Sequence, residues 1–298
     1  MKNAIIIYNP QSGSKSNKFM VDRLVKKYQS LNINYTLFPT QYKGHAEFFC
    51  SSKDILKYQQ IIVCGGDGTF NEIVNGLIQS HKFQIPPIGF LPGGTGNAFM
   101  HDLKALDPDR AIEIILRGKI KKIDVLKLEY HDKQEYSINI VGWGMVTDIL
   151  VLAEKMRMFG SARYTLASLF LIFKKSIRDI NVAINNAKAQ KKKYIFILVT
   201  NTIHTGKGMK AAPKALLDDG MLDVIFLRST ISKFQLLMLF PKLFTGEHIH
   251  SSHVKYINVK NIELIPDVNE VLNIDGEVKG ETPVKISVIP QCLSIYSS

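Results

Sequence analysis

Residues 60–71 of the 298-residue chain read Gln-Ile-Ile-Val-Cys-Gly-Gly-Asp-Gly-Thr-Phe-Asn, and this stretch decides the fold. The apolar run Ile61–Cys64 predicts a buried strand, and a helix is predicted directly after the turn. Three glycines in four residues (Gly65, Gly66 and Gly68) allow a tight turn whose N–H groups can approach a phosphate. A helix N-terminus behind the turn adds a field that favours negative charge.

Asp67 is unexpected in a loop that binds only phosphate, because its carboxylate would repel the ligand. Its presence is explained if it holds a magnesium ion or accepts a proton from an attacking hydroxyl. The alternative is an ordinary strand-to-helix turn that Asp67 caps.

Two further turns of this kind follow apolar strands. The sequence Pro-Gly-Gly-Thr-Gly-Asn spans residues 92–97, and Asn-Pro-Gln-Ser-Gly-Ser spans residues 9–14. Turns that follow parallel strands emerge at one edge of the sheet, where ligands bind in open α/β folds. Residues 60–97 contain no GxxxxGK[ST] sequence, so a P-loop is not indicated. The formal dinucleotide pattern at residues 206–211 is followed by Pro213, which argues against the long helix that this motif requires.

The two halves of the chain differ in their pattern of apolar and helical segments. Short apolar runs alternate with helical segments over residues 1–125, including a helix predicted over Ala46–Ile55, and this predicts a Rossmann-like α/β domain with a parallel sheet. Residues 126–298 contain many short strand-like runs, which predict a mainly antiparallel β-sandwich domain. One strand is predicted over Tyr136–Val141, and Lys191–Lys193 is interpreted as a hairpin turn. Helical insertions are predicted over residues 145–175 and 232–245.

Composition restricts the class of protein. Hydrophobic residues make up 46% of the chain and charged residues 21%, as in folded globular proteins. We expect a cytoplasmic protein, since no signal peptide is evident and three separated cysteines suggest neither disulfides nor a zinc site. The net charge of +12 favours attraction to an anionic membrane surface. No nucleic-acid partner is expected, because no recognition motif accompanies the basic residues.

The three turns resemble the nucleotide-binding signatures of the diacylglycerol kinase catalytic-domain family, which includes bacterial lipid kinases and the sphingosine and ceramide kinases. The resemblance covers essentially the whole chain. It implies an ATP-dependent kinase that phosphorylates a lipid hydroxyl at the membrane surface, with ATP and Mg²⁺ as cofactors. The nucleotide-binding positions that it implies are Asn9, Thr40, Gly65, Gly66, Asp67, Gly68, Thr69, Asn71, Gly94, Thr95, Arg157, Arg163 and Asp275.

Two segments of the second half also resemble this family. Residues 212–223 are similar to a segment that holds a structural magnesium in bacterial members, which implies the Asp219 side chain and the backbone carbonyls of Leu216 and Met221 as ligands. The alternative is a plain hairpin turn. Asp275-Gly276-Glu277 matches a signature whose glutamate is the proton acceptor. The resemblance therefore makes Asp67 and Glu277 the catalytic pair, with the division of roles left open.

Residues 143–166 are similar to sphingosine and ceramide kinases, and the two arginines, Arg157 and Arg163, are implied to approach ATP phosphates. Surface pairing of both arginines with Glu154 is the alternative. Sphingosine kinases carry an acidic residue two places after the position of Asp148, where this chain has Leu150. This difference favours a neutral lipid head group.

The favoured substrate is diacylglycerol or a related acylglycerol. The alternatives are a sphingosine or ceramide-type kinase, a soluble kinase similar to NAD kinases, and a nucleotide-binding membrane sensor without catalysis. The apolar segments at residues 164–173 and 236–244 are interpreted as core-packing helices that would also accommodate acyl chains. The oligomeric state is left open, with a homodimer as one option.

Overall fold

The computed structural model describes residues 3–10, 17–81, 85–94 and 96–298. The chain forms two compact units. The first contains Met1–Val125, Gly206–Gly208 and Pro290–Ser298, and the second contains Leu126–Thr205 and Met209–Ile289. The predicted second domain, residues 126–298, thus differs at its C-terminal end. The last nine residues join the first unit because Ile295 pairs there with Ile88 in a parallel bridge.

The first unit is an α/β structure around a parallel sheet. Its strands lie in the order β2-β1-β3-β4, with parallel pairing throughout. These strands are β1 (Asn3–Tyr8), β2 (Asn34–Pro39), β3 (Gln60–Gly65) and β4 (Ile88–Pro92). The helices are α1 (Asn17–Ser30), α2 (His45–Ser51), α3 (Asp67–His81), α4 (Ala98–Asp102) and α5 (Pro108–Arg117).

Local sequence explains these elements. Every residue of β3 and β4 is buried, which is the pattern of strands covered on both faces. Helix α5 begins after Asp107, whose side chain accepts a hydrogen bond from the Arg110 N–H, and it ends at Gly118 with φ 71°. The helix predicted over Ala46–Ile55 ends earlier, because α2 stops before Ser52, whose backbone is extended, and only a short 3₁₀ turn follows.

The second unit is built from antiparallel strands with helices inserted between them. The strands of this half are β5 (Ile120–Tyr130), β6 (Lys133–Ser137), β7 (Ile140–Gly144), β8 (Arg178–Ile184), β9 (Gln190–Thr200), β10 (Leu222–Arg228), β11 (Val254–Val259), β12 (Asn261–Pro266), β13 (Val271–Ile274), β14 (Glu277–Glu281) and β15 (Val284–Tyr296). The helices are α6 (Met145–Lys155), α7 (Arg163–Lys174), α8 (Lys233–Leu239) and α9 (Lys242–Thr245). A large core cluster includes Trp143, Phe226 and Leu264.

Two predictions of local structure in this unit were wrong. Lys191–Lys193 belongs to β9 and pairs with β8, whereas the turn lies just before it, where Asn185 and Asn186 adopt positive φ. The strand predicted over Tyr136–Val141 is interrupted after Ser137, because the N–H groups of residues 138–140 turn to bind the carboxylate of Asp275.

The structure confirms the mixed fold predicted from the sequence. A half with a parallel sheet and helices is followed by an antiparallel, sandwich-like half. Among the helices of the described residues, none combines the length and hydropathy needed to cross a membrane.

Candidate active site

The two glycine turns of the first unit lie in direct backbone contact. Gly65 and Gly66 follow β3, and Gly93 and Gly94 follow the neighbouring strand β4. The Gly93 N–H donates to the Gly65 carbonyl at 2.8 Å. A Cβ on Gly94 would lie 2.4 Å from the Cα of Gly66, so no larger residue fits without separating the turns. The sheet edge therefore carries two closely packed loops of bare backbone, as the sequence predicted.

Asp67 joins these loops. It is the first residue of α3, yet its carboxylate accepts hydrogen bonds from the N–H groups of Ala98 (3.1 Å) and Phe99 (3.3 Å) at the start of α4. Asp67 therefore caps the helix of the next βα unit, α4. This arrangement orients the carboxylate and holds the second glycine turn against the first.

Other predicted nucleotide contacts of this unit lie at the same edge. The Thr40 N–H donates to the Tyr8 carbonyl at 2.9 Å, and the Asn9 N–H donates to the Cys64 carbonyl at 3.1 Å, so both residues follow the ends of parallel strands. Thr69 packs over Gly65, because a Cβ added to Gly65 would lie only 2.7 Å from the side chain of Thr69. Asn71 is buried and accepts a hydrogen bond from Asn75. Thr95 and residues 11–14 lie outside the described residues.

The Asp-Gly-Glu triplet of the second unit forms a tight hairpin. Asp275 (φ 50°) and Gly276 (φ 87°) are the two central residues of a turn that pairs Ile274 with Glu277. The Asp275 side chain is buried, and it accepts hydrogen bonds from the Ser137 hydroxyl at 2.6 Å and from three backbone N–H groups, of residues 138, 139 and 140, at 2.9–3.1 Å. Asp275 thus anchors the turn, and Glu277 follows it as the first residue of strand β14.

The arginines implied to approach ATP are paired with an acidic residue. Arg157 donates from two nitrogens to one oxygen of Glu154, and Arg163 lies 3.1 Å from the other oxygen. The surface pairing left open by the sequence is therefore present in this structure.

Sequence reasoning missed a second charged cluster. Arg178 donates from one nitrogen to both oxygens of Asp148 at 2.9 Å, and its Nε lies 3.0 Å from a Glu270 oxygen. Burial raises the pKa of Glu270, an effect that Arg178 opposes. No motif links Asp148, Arg178 and Glu270, because they are far apart in the sequence and only the tertiary fold brings them together.

The predicted magnesium segment forms an exposed turn in which the Met221 N–H donates to the Asp219 side chain at 3.0 Å. Nearby Asp223 is fully buried, and its Oδ2 has no hydrogen-bond partner among the described residues. Burial raises the pKa of Asp223, and the charge of Asp219 adds to this effect. Two carboxylates that interact electrostatically, one with an unsatisfied oxygen, fit a hard cation bound by oxygen ligands.

Paired glycine loops at a parallel sheet edge, with an acid between them, define an α/β protein with a site suited to a phosphate group. Comparison with known proteins identifies the family. The diacylglycerol kinase catalytic domain matches residues 3–128, and the YegS C-terminal NAD kinase beta sandwich-like domain matches residues 139–297. The chain therefore belongs to the diacylglycerol kinase catalytic-domain family of lipid kinases, which use ATP.

Individual relatives cover nearly the whole chain. A diacylglycerol kinase from Bacillus subtilis (strain 168) is 30% identical over 95% of this chain and 92% of its own length. Sphingosine kinase 1 from Arabidopsis thaliana is 27% identical over 93% of this chain and 68% of its own length. The crystal structure of a diacylglycerol kinase from Bacillus anthracis str. Sterne has the same fold, with a TM-score of 0.79, 21% identity and coverage of 100% and 97% of the two chains.

Proposed function

We propose that this protein transfers the γ-phosphate of ATP to the hydroxyl of diacylglycerol or a related acylglycerol, and that it works while bound peripherally to a membrane. The observation that carries the substrate assignment is the pairing of Asp148 on α6. Arg178 donates to both oxygens of this carboxylate at 2.9 Å, and Arg178 has no part in the proposed ATP site. A cationic sphingoid head group would need an uncompensated carboxylate, whereas a neutral glycerol head group would not.

The glycine loops supply the phosphate site of this proposal. Backbone N–H groups and bound Mg²⁺ would stabilise the charge that develops as the γ-phosphate is transferred in line to the lipid hydroxyl. Asn9, Thr69 and Gly94 lie at or beside the two turns, and Thr40 follows β2 at the same edge of the sheet. Arg157 and Arg163 would contact the phosphates only if their ion pairs with Glu154 broke and new pairs with the nucleotide formed.

The two carboxylates take different roles. Asp67 is committed to two backbone N–H groups, so we assign it to organising the loops and to supporting the metal–nucleotide complex. Glu277 is presented by a turn whose geometry Asp275 holds, and we assign it as the acceptor of the hydroxyl proton.

A structural magnesium site is proposed on the second unit. The Asp219 side chain would hold the ion together with the carbonyls of Leu216 and Met221, and Asp223 would balance its charge. A bound cation supplies the positive charge that this pair of carboxylates lacks and fixes the turn.

Labelled ATP offered with diacylglycerol, monoacylglycerol, ceramide and sphingosine in mixed micelles tests the substrate. We expect label in diacylglycerol, and incorporation into sphingosine alone would reject the assignment in favour of the sphingosine-type alternative. ATP binding without transfer to any lipid would favour the non-catalytic alternative.

Two variants test the roles. Glu277→Gln should lower turnover by about 10²–10⁴-fold with little change in ATP affinity, because only the proton acceptor is removed. Asp67→Asn should lower turnover and also weaken ATP binding, since the amide cannot accept both N–H groups that join the loops. Normal turnover in either variant would refute the role assigned to that residue.

A further inference from the structure

Helices α7 and α8 carry large apolar side chains on their outer faces. Leu166, Phe170 and Phe173 are spaced i, i+4, i+7 on α7, and all are exposed, Phe170 by 60%. Phe234 and Met238 are spaced i, i+4 on α8, where Phe234 is 72% exposed. Such spacing places each set on one stripe of its helix.

The opposite faces of the same helices are used for packing. Leu171 and Ile172 of α7 and Leu236 of α8 are buried in one core cluster with strands β9 and β10, and the two helices contact each other. The core-packing role predicted from the sequence is thus met by these buried residues. The exposed stripes contribute nothing to that core, and burying them in an apolar medium would be favourable.

The charged residues in the two segments that carry the stripes are all basic. Residues 163–175 and 232–245, which include α7, α8 and α9, contain five basic residues and no acidic residue. Arg163 is paired with Glu154. The other four basic residues make no ion pair with any described residue, and they are Lys174, Lys175, Lys233 and Lys242. Exposed aromatic side chains flanked by uncompensated lysines match the chemistry of an anionic lipid surface.

We propose that the stripes of α7 and α8, here called the docking face, insert into the surface of a bilayer that contains anionic lipids. The inference rests on the proposed function in that the substrate is a membrane lipid, and it adds where the enzyme meets that membrane. The phenylalanines would enter the boundary between head groups and acyl chains, while the lysines would contact lipid phosphates.

Sedimentation with vesicles of phosphatidylcholine and phosphatidylglycerol tests the docking face directly. The double variant Phe170→Ser/Phe234→Ser should bind about tenfold or more weakly, since each phenylalanine loses its apolar burial. Phe48→Ser is the matched control, because Phe48 is 71% exposed on α2 of the other unit. It should bind like the wild type. Equal binding of the double variant and the control would overturn the proposal.

The lysines provide a second test that does not touch the apolar stripes. Lys174→Gln/Lys233→Gln should weaken binding to anionic vesicles several-fold, with an effect that disappears in high salt. Undiminished binding at low salt would also overturn the proposal.

Activity separates docking from chemistry. With dihexanoylglycerol dissolved as monomers, the Lys174→Gln/Lys233→Gln variant should turn over as fast as the wild type, whereas its rate on diacylglycerol in anionic bilayers should fall with its vesicle affinity. Equal loss on both substrates would reject a docking role in favour of a part in the reaction site. If the wild type phosphorylates no lipid at all, the proposed function fails, yet vesicle binding still decides the docking face.

Discussion

Replacing Asp275 with asparagine should destabilise the second unit far more than an isosteric change at a surface carboxylate. One oxygen of Asp275 accepts from the Ser137 hydroxyl and from two backbone N–H groups, and the other accepts from the Ile138 N–H at 3.1 Å. The single oxygen of an asparagine could still accept the hydrogen bonds from Ser137, Asn139 and Ile140, but it would be a neutral acceptor. Its NH₂ group would then face the Ile138 N–H, so that donor would lose its partner.

The cost follows from these bonds. A buried donor left unsatisfied costs about 1–3 kcal/mol, and hydrogen bonds to a charged acceptor exceed neutral ones by about 1 kcal/mol each. Relief from burying a charge offsets part of this loss. We expect about 3 kcal/mol in the free energy of unfolding, which corresponds to a urea midpoint lower by about 1.5 M at a slope of about 2 kcal/mol per M.

Tryptophan fluorescence reports this transition, because Trp143 is the only tryptophan of the chain and is fully buried in the second unit. Asp267→Asn is the matched control. Asp267 is half-exposed and pairs with exposed Lys191 on the surface, so its loss should change the midpoint little. If Asp275→Asn shifts the midpoint no more than Asp267→Asn does, the anchoring role of Asp275 is refuted. Turnover should also fall in the Asp275 variant, because the same turn presents Glu277.

Three further changes have defined outcomes. Gly94→Ala should weaken ATP binding by about 5- to 160-fold, because overpacking against Gly66 costs about 1–3 kcal/mol. Gly206→Ala, where a Cβ would meet nothing within 4 Å, should leave the affinity unchanged. Equal affinities of the two variants by calorimetry would contradict the loop contact. Burial lowers the pKa of His248 below its ordinary value of 6.5. As the pH drops below 6.5, the unfolded chain therefore binds a proton at this residue before the folded protein does. The free energy of unfolding should then fall by up to about 1.4 kcal/mol per pH unit. His248→Gln should flatten this dependence in urea titrations, and an unchanged slope would exclude His248 as its source. Mg²⁺ should raise the thermal midpoint of the wild type but not of Asp219→Asn, and a wild type indifferent to Mg²⁺ would argue against the metal site.

Much of the fold could be predicted from local sequence. The alternation of apolar strands with helices is evident in residues 1–125, and the glycine turns at Gly65–Gly66 and Gly93–Gly94 follow their strands as expected. Short-range signals are reliable here, because a glycine-rich turn or an Asp-Gly hairpin requires only a few neighbouring residues. The break after Ser137 was missed because a distant residue, Asp275, determines the local backbone. At Lys191–Lys193 the error was one of turn position, since the hairpin turns earlier, at Asn185 and Asn186.

Composition and motifs thus determined the order of the elements, the glycine loops and the candidate acids, since each depends on residues adjacent in the chain. Only the tertiary structure decided what those acids bind: Asp67 reaches N–H groups 31 and 32 positions away, and Asp275 binds backbone 135–137 positions away. It also decided which faces of α7 and α8 stay exposed. Hydrogen bonds and packing between distant segments depend on strand register and on how helices lie on a sheet, and a linear pattern carries no record of either.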